Sequence, residues 1–522
     1  VKIVVAEKIA AAAMKVLEAI PGCTVVTPEQ FAVDPLLAIS DADALIVRSA
    51  VQADAALIDA AKIIRVIGRA GVGVDNIDVE VATRRGIVVM NAPGASAVAV
   101  AELTLGLMLA MARHIPRADH TTRAGKWEKK SLQGTELAGK TLGIIGLGRI
   151  GTETARRAQA FAMKLVGSDP YLSPSRAKEL GIELVSTDSL YAQSDYIALH
   201  LALTHQSAGM IDAEAIAKMK PGVRLVNCAR GELVDEAALA AALQSGHIAS
   251  AALDVFAEEP THNTALLAAP NLLATPHLGA STKEGQEAVG IQIAKQVRDY
   301  LQQGIAQNAV NLPSLSDVEY KQIKPYMTLA SRLGRFAAQL FASNLAEIDV
   351  KFEGEIGAWK TQLIRSAAVA AVLQSDTDEP TNIINAAAAA EEHGVVVRET
   401  RAAPDARVNL IHLKLTGPTG SVECSGTIVH GASPRLIHLN GIDIESHLEG
   451  NFVIVANWDQ PGVVGSIGTV LGRNNINIAR LSLGREGRQA LAIVQVDGSV
   501  PAEVLAELRR ATSVQSVASV KM

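Results

Sequence analysis

Short runs rich in Val, Ile and Leu alternate with longer segments whose apolar residues recur every three or four positions. This rhythm organises the chain as far as about residue 300. Strands are predicted at Lys2–Ala6, Ala44–Arg48, Arg65–Ile67 and Ile87–Met90, with helices at Ala10–Ile20, Asp54–Ala61 and Asp78–Arg85 between them. Near-continuous apolar strands separated by helices predict a parallel sheet covered on both faces. A helix over Ser96–His114 then leads to a second series, Thr141–Ile145, Lys164–Ser168, Tyr196–His200, Arg224–Asn227, Ala251–Val255 and Asn271–Ala274. Six such strands suit a doubly wound nucleotide-binding sheet. The long helix Glu284–Gln303 reads as a return to the first unit, giving two lobes around one cleft.

Beyond Asn311–Ser316, a linker by composition, the pattern changes. Helices at Tyr326–Ala342, Trp359–Leu373 and Asn382–His393 mix with strands at Glu347–Phe352, Val395–Glu399, Val408–Leu415 and Arg435–Leu439, an α+β segment without clustered catalytic chemistry. The tail reads strand Phe452–Ala456, helix Pro461–Asn474, strands Ile476–Leu483 and Gln489–Val496, helix Pro501–Thr512 and strand Val514–Val520. That βαββαβ order is ferredoxin-like. The expected division is 1–97 with 283–312 for a discontinuous substrate lobe, and 98–282 for the nucleotide lobe. An intervening domain then takes 313–449 and a regulatory one 450–522.

The chain has 522 residues, more than one hydrophobic core serves at roughly 100–200 residues per domain. It is 49% hydrophobic and 20% charged, which excludes wholesale disorder. Forty-eight basic against 54 acidic residues give a net charge of -6, so no nucleic-acid partner is expected. The most apolar stretch, Gly94–Met111, carries Glu102 at its centre and reads as a buried helix, so no membrane partner is expected either. Cys23, Cys228 and Cys424 stand far apart, as reduced thiols of a cytoplasmic protein would. Val1–Val5 opens a strand-like run without the anatomy of a signal peptide.

Gly146-Leu147-Gly148-Arg149-Ile150-Gly151 follows the strand Thr141–Ile145 and opens a helix. Its glycines suit a tight turn, close approach of backbone to a pyrophosphate, and close helix-to-strand packing. Eighteen residues beyond Gly151, Asp169 ends the next strand. There it would accept hydrogen bonds from the adenosine ribose and repel a 2′-phosphate, so the cofactor is read as NAD.

Three strand-end segments carry polar residues: Asn227-Cys228-Ala229-Arg230-Gly231, Asp254-Val255-Phe256-Ala257-Glu258-Glu259-Pro260 and Thr275-Pro276-His277-Leu278-Gly279-Ala280. Oxidation of a 2-hydroxy acid needs a base for the hydroxyl proton, which suits His277. A carboxylate beside it, Glu259, would hold its tautomer. The Arg230 guanidinium would clamp the substrate carboxylate.

With Ile67-Gly68-Arg69-Ala70-Gly71-Val72-Gly73-Val74-Asp75-Asn76 and Gly125-Lys126-Trp127-Glu128, these motifs resemble the D-2-hydroxyacid dehydrogenase family in its long form. The resemblance implies Arg230, Glu259 and His277 as catalytic residues. It implies NAD contacts at Arg149, Ile150, Asp169, Cys228, Ala229, Arg230, Asp254, His277, Leu278, Gly279 and Ala280. For this form it implies oxidation of (R)-3-phosphoglycerate to 3-phosphohydroxypyruvate on the way to L-serine, by a homotetramer or at the least a homodimer. A phosphorylated acid needs further cations, for which Arg48 (followed by Ser49), Arg69, Lys129 and Lys130 are candidates. In related enzymes the Trp-containing loop reaches a neighbouring subunit's site. Backbone N–H groups around Gly71, Val72 and Gly73 could form a nest for the carboxylate. The chain departs from the family's HxPxTxxT segment at Ala202 and Ser207, and from its usual Asn at Ser96.

In the tail, Asn457-Trp458-Asp459-Gln460-Pro461-Gly462 and Ile476-Asn477-Ile478 resemble an ACT domain. That likeness implies L-serine as an effector, near Asn457, Asp459 and Asn477. The intervening domain resembles one proposed to bind anions. The alternatives are another D-2-hydroxyacid dehydrogenase, acting on hydroxypyruvate or 2-hydroxyglutarate, and a non-enzymatic NADH-sensing protein.

Overall fold

In the computed structural model, residues 1–522 are described except 314, 316, 375–380 and 403–407. The apolar runs near the N-terminus pair in parallel as Lys2–Val5, Thr24–Val26, Ala44–Val47, Val66–Arg69 and Val88–Met90. The spatial order is second, first, third, fourth, fifth. This is a doubly wound order, which places the site outside the carboxyl ends of the strands. The helix Lys283–Gln303 does return here, packing Val289, Ile293, Ala294 and Val297 against Ile3, Val5 and Val66. Gly68 permits that approach, since a Cβ on it would lie 2.9 Å from both Ile293 and Val297.

Seven parallel strands form the second sheet. Thr141–Ile145 sits at the switch point, with Lys164–Ser168 and Glu183–Leu184 on one side. On the other side lie Tyr196–Leu199, Val223–Asn227, Ile248–Leu253 and Leu272–Ala274. The two-residue strand Glu183–Leu184 is too short to leave a pattern. The apolar stretch after Gly94 forms the helix Ala97–Ala112, with ten of its residues buried. It does not run straight on: His114 enters left-handed backbone at φ 51° and the next helix, Ile115–Arg123, departs at 61°. Among the described residues no single helix is long and apolar enough to cross a membrane. The pair just named passes by length and composition only when its bent halves are joined.

Asn311 is not a free linker residue. Its side chain accepts from Val89 N at 3.0 Å and donates to Thr83 and Ile87, pinning the chain to the first lobe. Leu312 packs against the cores of the first lobe and the intervening unit, and Leu315 against the latter, while Ser314 and Ser316 of the expected linker lie outside the described residues.

The third sheet runs Val396–Arg401, Glu347–Glu353, Leu410–Gly417, Gly420–Val429, Ser433–Leu439, Ile442–His447. Only its first pair is parallel. The helices Asp317–Leu340 and Gln362–Leu373 share one core with it. The tail forms Asn451–Trp458, Val463–Arg473, Ile478–Glu486, Gln489–Val496, Ala502–Arg509 and Val514–Lys521, as an antiparallel sheet in the order second, third, first, fourth. One face carries the two helices. The other packs on Asp317–Leu340, where Phe336 meets Phe452 edge to face at 6.4 Å. Two doubly wound lobes, an α+β unit and a ferredoxin-like tail are thus the fold class expected.

Candidate active site

A cleft of about 1480 Å³ opens between the two parallel sheets, at the carboxyl ends of their strands. On the nucleotide side each fingerprint glycine meets a different constraint. Gly146 turns at φ 89°, and a Cβ on it would strike the His200 carbonyl at 2.7 Å. A Cβ on Gly151 would strike Gly146 O at 2.1 Å, while Gly148 has open space in front of it. Asp169 braces this turn by accepting from Leu147 N at 2.7 Å and Tyr171 N at 2.8 Å. Ile150, Cys228, Ala229, Arg230, Asp254, His277, Gly279 and Ala280 line the cleft. Arg149 stays beside it, its guanidinium where a Cβ on Gly94 would come within 2.2 Å. His200 also lines the cleft, and its buried Nδ1 has no protein partner. A glycine turn with backbone N–H groups at a helix start, an acid at the next strand end and an orphaned donor or acceptor fit a dinucleotide.

His277 and Glu259 are brought together: Nδ1 to Oε2 is 2.7 Å. The other Glu259 oxygen accepts from Phe256 N at 3.1 Å, which fixes the carboxylate from behind. With Nδ1 turned to a carboxylate, Nε2 is the nitrogen left to exchange a proton with a substrate. Arg230 enters from the neighbouring strand end. The fully buried Asn227 clamps its loop, donating to Arg230 O at 2.7 Å and accepting from Ala229 N at 3.0 Å. The Arg230 Nε then crosses the cleft to Asp75 Oδ2, 3.3 Å away on the first lobe.

Arg48, Ser49, Arg69, Gly71, Val72 and Gly73 form the facing wall. Glu7 accepts the backbone N–H groups of Arg48, Ala50 and Val51, and Asn76 donates to the carbonyls of Arg48 and Val51. Between them they shape the turn that presents Arg48. Arg69 folds back over Gly71, where a Cβ would collide with its Nη1. Burial, and after it the charge of Arg230, pushes the Arg69 guanidinium below its usual range. Lys129 and Lys130 lie exposed beyond Trp127, itself 82% exposed, and do not line this chain's own cleft.

Residues 105–279 match the D-isomer specific 2-hydroxyacid dehydrogenase NAD binding domain, 322–440 the D-3-phosphoglycerate dehydrogenase intervening domain, and 452–512 the ACT domain. A D-3-phosphoglycerate dehydrogenase from Methanocaldococcus jannaschii is 39% identical over 528 residues, covering 100% of both chains. The chain belongs to the D-3-phosphoglycerate dehydrogenase family. Its relative of that name from Mycobacterium tuberculosis (strain H37Rv) is 41% identical over 90% of this chain and 89% of its own. Among solved structures, a glyoxylate reductase from Paecilomyes thermophila is similar at 34% identity and a TM-score of 0.54, over 59% of this chain and 98% of its own. A D-lactate dehydrogenase from Aquifex aeolicus complexed with NAD and lactic acid is similar at 27% identity and 0.53, over 60% of this chain and 100% of its own.

Two departures from the family motifs are accommodated. Ser207 hydrogen-bonds Ala202 O at 2.8 Å and accepts from Thr204 N at 2.8 Å, so the loop after His200 closes on itself. Ser96 is buried beneath the start of Ala97–Ala112. In the tail, the Asn457 amide is buried and donates to Trp458 O at 2.7 Å. Asn477 donates to Asp497 at 2.8 Å, and Asp459 lies 3.6 Å from Arg485. Glu7, Asn76, Asn227 and Asp75 were given no role from sequence. Asp75 and Asn76 lie inside a quoted motif and Asn227 begins another, but Glu7 carries no signal beyond ending the first strand run.

Proposed function

We propose that this chain oxidises (R)-3-phosphoglycerate to 3-phosphohydroxypyruvate with NAD, the first committed step towards L-serine. The observation that carries the reading is the 2.7 Å contact of His277 Nδ1 with Glu259 in the cleft that Arg230 also lines. NAD, when bound, supplies the hydride acceptor. The residues that would hold it are Gly146, Gly148, Arg149, Ile150, Gly151 and Asp169, with Cys228–Arg230, Asp254 and His277–Ala280 towards the reacting end. His277 Nε2 takes the hydroxyl proton as the C2 hydrogen leaves, and returns it in the reverse direction. Glu259 keeps the Nδ1–H tautomer and stabilises the imidazolium. Arg230, with the nest at Gly71–Gly73, orients the substrate carboxylate; Arg48, Ser49 and Arg69 face its phosphate.

Lys129 and Lys130 act in a neighbouring subunit's cleft in this reading, which requires at least a homodimer; we take a homotetramer. The working division is 1–97 with 283–312, 98–282, 313–449 and 450–522. L-serine is the effector of the last unit, near Asn457, Asp459 and Asn477. Three well-separated cysteines, read as reduced thiols, are the ground for taking the cytoplasm as the setting.

The deciding assay follows NADH oxidation with 3-phosphohydroxypyruvate, hydroxypyruvate and 2-oxoglutarate side by side, with and without L-serine. The first should show the highest kcat/KM. Tight NADH binding without turnover of any of the three would sink the enzyme reading, and preference for either of the others would reassign the substrate.

A further inference from the structure

An anionic substrate meets an unexpected carboxylate in this cleft. Asp75 follows the strand Val66–Arg69 on the first lobe, and Arg230 follows Val223–Asn227 on the second, yet their side chains meet at 3.3 Å. They meet over Gly73. A Cβ there would lie 1.9 Å from Arg230 Nη2 and 2.7 Å from Asp75 Oδ2. Gly73 belongs to the nest that would hold the substrate carboxylate. Glu7, the other acid charge acting on Arg69, is already engaged by three backbone N–H groups. That leaves Asp75 as the carboxylate that answers Arg230.

We propose that Asp75 is an internal stand-in for the substrate carboxylate, aiming Arg230 at the nest and competing with the incoming acid for it. The inference rests on the reading of Arg230 and the nest given under the proposed function. Its physical basis is exchange of like for like. One carboxylate replaces another on the same guanidinium, so Arg230 stays oriented and the repulsion among Arg48, Arg69 and Arg230 stays balanced until the substrate arrives. The stand-in must be displaceable, and with the Asp75 side chain 70% exposed, water can take over from Arg230 when it leaves. An ion pair so placed changes an equilibrium by a factor of about two to five.

The test uses the full chain loaded with NADH, comparing wild type, Asp75→Asn and Asp75→Glu. Oxalate, a small dicarboxylate resembling the oxoacid end of the substrate, is titrated by calorimetry. Inorganic phosphate is titrated separately as a probe of the other end. Asp75→Asn should bind oxalate about two- to fivefold more tightly with phosphate affinity unchanged, and Asp75→Glu should stay near wild type. Weaker oxalate binding in Asp75→Asn would overturn the proposal, because Asp75 would then only support Arg230. Equal tightening for oxalate and phosphate would overturn it too, because that is the effect of a diffuse charge. An unchanged unfolding temperature accompanies the expected result. Wild-type turnover of 3-phosphohydroxypyruvate, measured alongside, keeps failure of the functional reading distinct: oxalate affinity reports on Asp75 whichever oxoacid is the substrate.

Discussion

A histidine in left-handed backbone has to be held there by its neighbours, and His277 sits at φ 53°. Its N–H donates to Asp254 O at 2.9 Å, and its ring is tied to Glu259. The residue is therefore held in one geometry, and if it transfers the proton as proposed, His277→Gln should lower kcat by about 10²- to 10⁴-fold. Titration of NADH by fluorescence should meanwhile give wild-type affinity; full retained activity would remove His277 from the mechanism. His200 shows the opposite use of an imidazole. Part-buried in the cleft wall, with Nε2 3.1 Å from Thr154 Oγ1, it is pushed down to about 4 by burial. The unfolded chain takes up this proton below about pH 6.5, whereas the folded chain resists it until about pH 4. Stability is thus full above the unfolded value and falls as the pH drops between the two, by about 3 kcal/mol. His200→Gln should flatten that part of the urea midpoint against pH curve; an unchanged slope would show that His200 is not the group responsible.

Single elements carry the site because loops are braced by buried side chains on the strands behind them. Asp254, 1% exposed, accepts from Thr275 Oγ1 at 2.6 Å and from Leu278 N and Gly279 N at 2.8 Å each. One carboxylate thus fixes the turn that bears His277. Asp254→Ala should lower kcat at least tenfold and weaken NADH binding, with a loss of about 1.5–3 kcal/mol from each charged hydrogen bond left unmade. Steady-state kinetics with thermal unfolding would check this, and wild-type kcat would show that the turn holds without its brace. The polar residues at those strand ends were legible in the sequence because the chemistry requires a base, an acid and a guanidinium after apolar strands. Glu7, Asn76 and Asn227 were not legible, since each acts through backbone groups. For Glu7 those groups lie 41 to 44 residues away in sequence. Strands followed the same logic. The continuous apolar runs of the two parallel sheets announced themselves, but the short edge strands Thr24–Val26 and Glu183–Leu184 did not. Gly420–Val429, with two glycines and small polar residues, reads as loop until neighbouring strands pair with it on both sides.

The whole molecule joins its ACT-domain tail to the intervening unit through one apolar core. Phe452, Ile454, Leu491, Ile493 and Val520, all on the helix-free face of the last sheet, pack with Phe336, Leu329 and Leu333 of Asp317–Leu340. Polar contacts close the rim. Arg332 reaches Glu449 at 2.6 Å, and Gln339 exchanges two hydrogen bonds of 2.9 Å with the backbone of Lys521. The alternation along Asn451–Trp458 explains the arrangement: Val453 and Val455 face the tail's own helices, while Phe452 and Ile454 face the neighbour. A sheet with both faces buried unfolds with whatever covers them. The tail and the intervening unit should therefore melt in one calorimetric transition, separate from the nucleotide lobe. Phe452→Ala removes a 1% exposed ring and its edge-to-face partner, at a cost of about 3–5 kcal/mol. It should lower that shared transition as a unit and leave the NADH-protected one in place. If only the tail melted earlier, the two units would be merely tethered. An effector bound near Asp459 would then have no packed route to Asn382 and Asn385, which hold the first lobe at Gly86 O and Arg84 O.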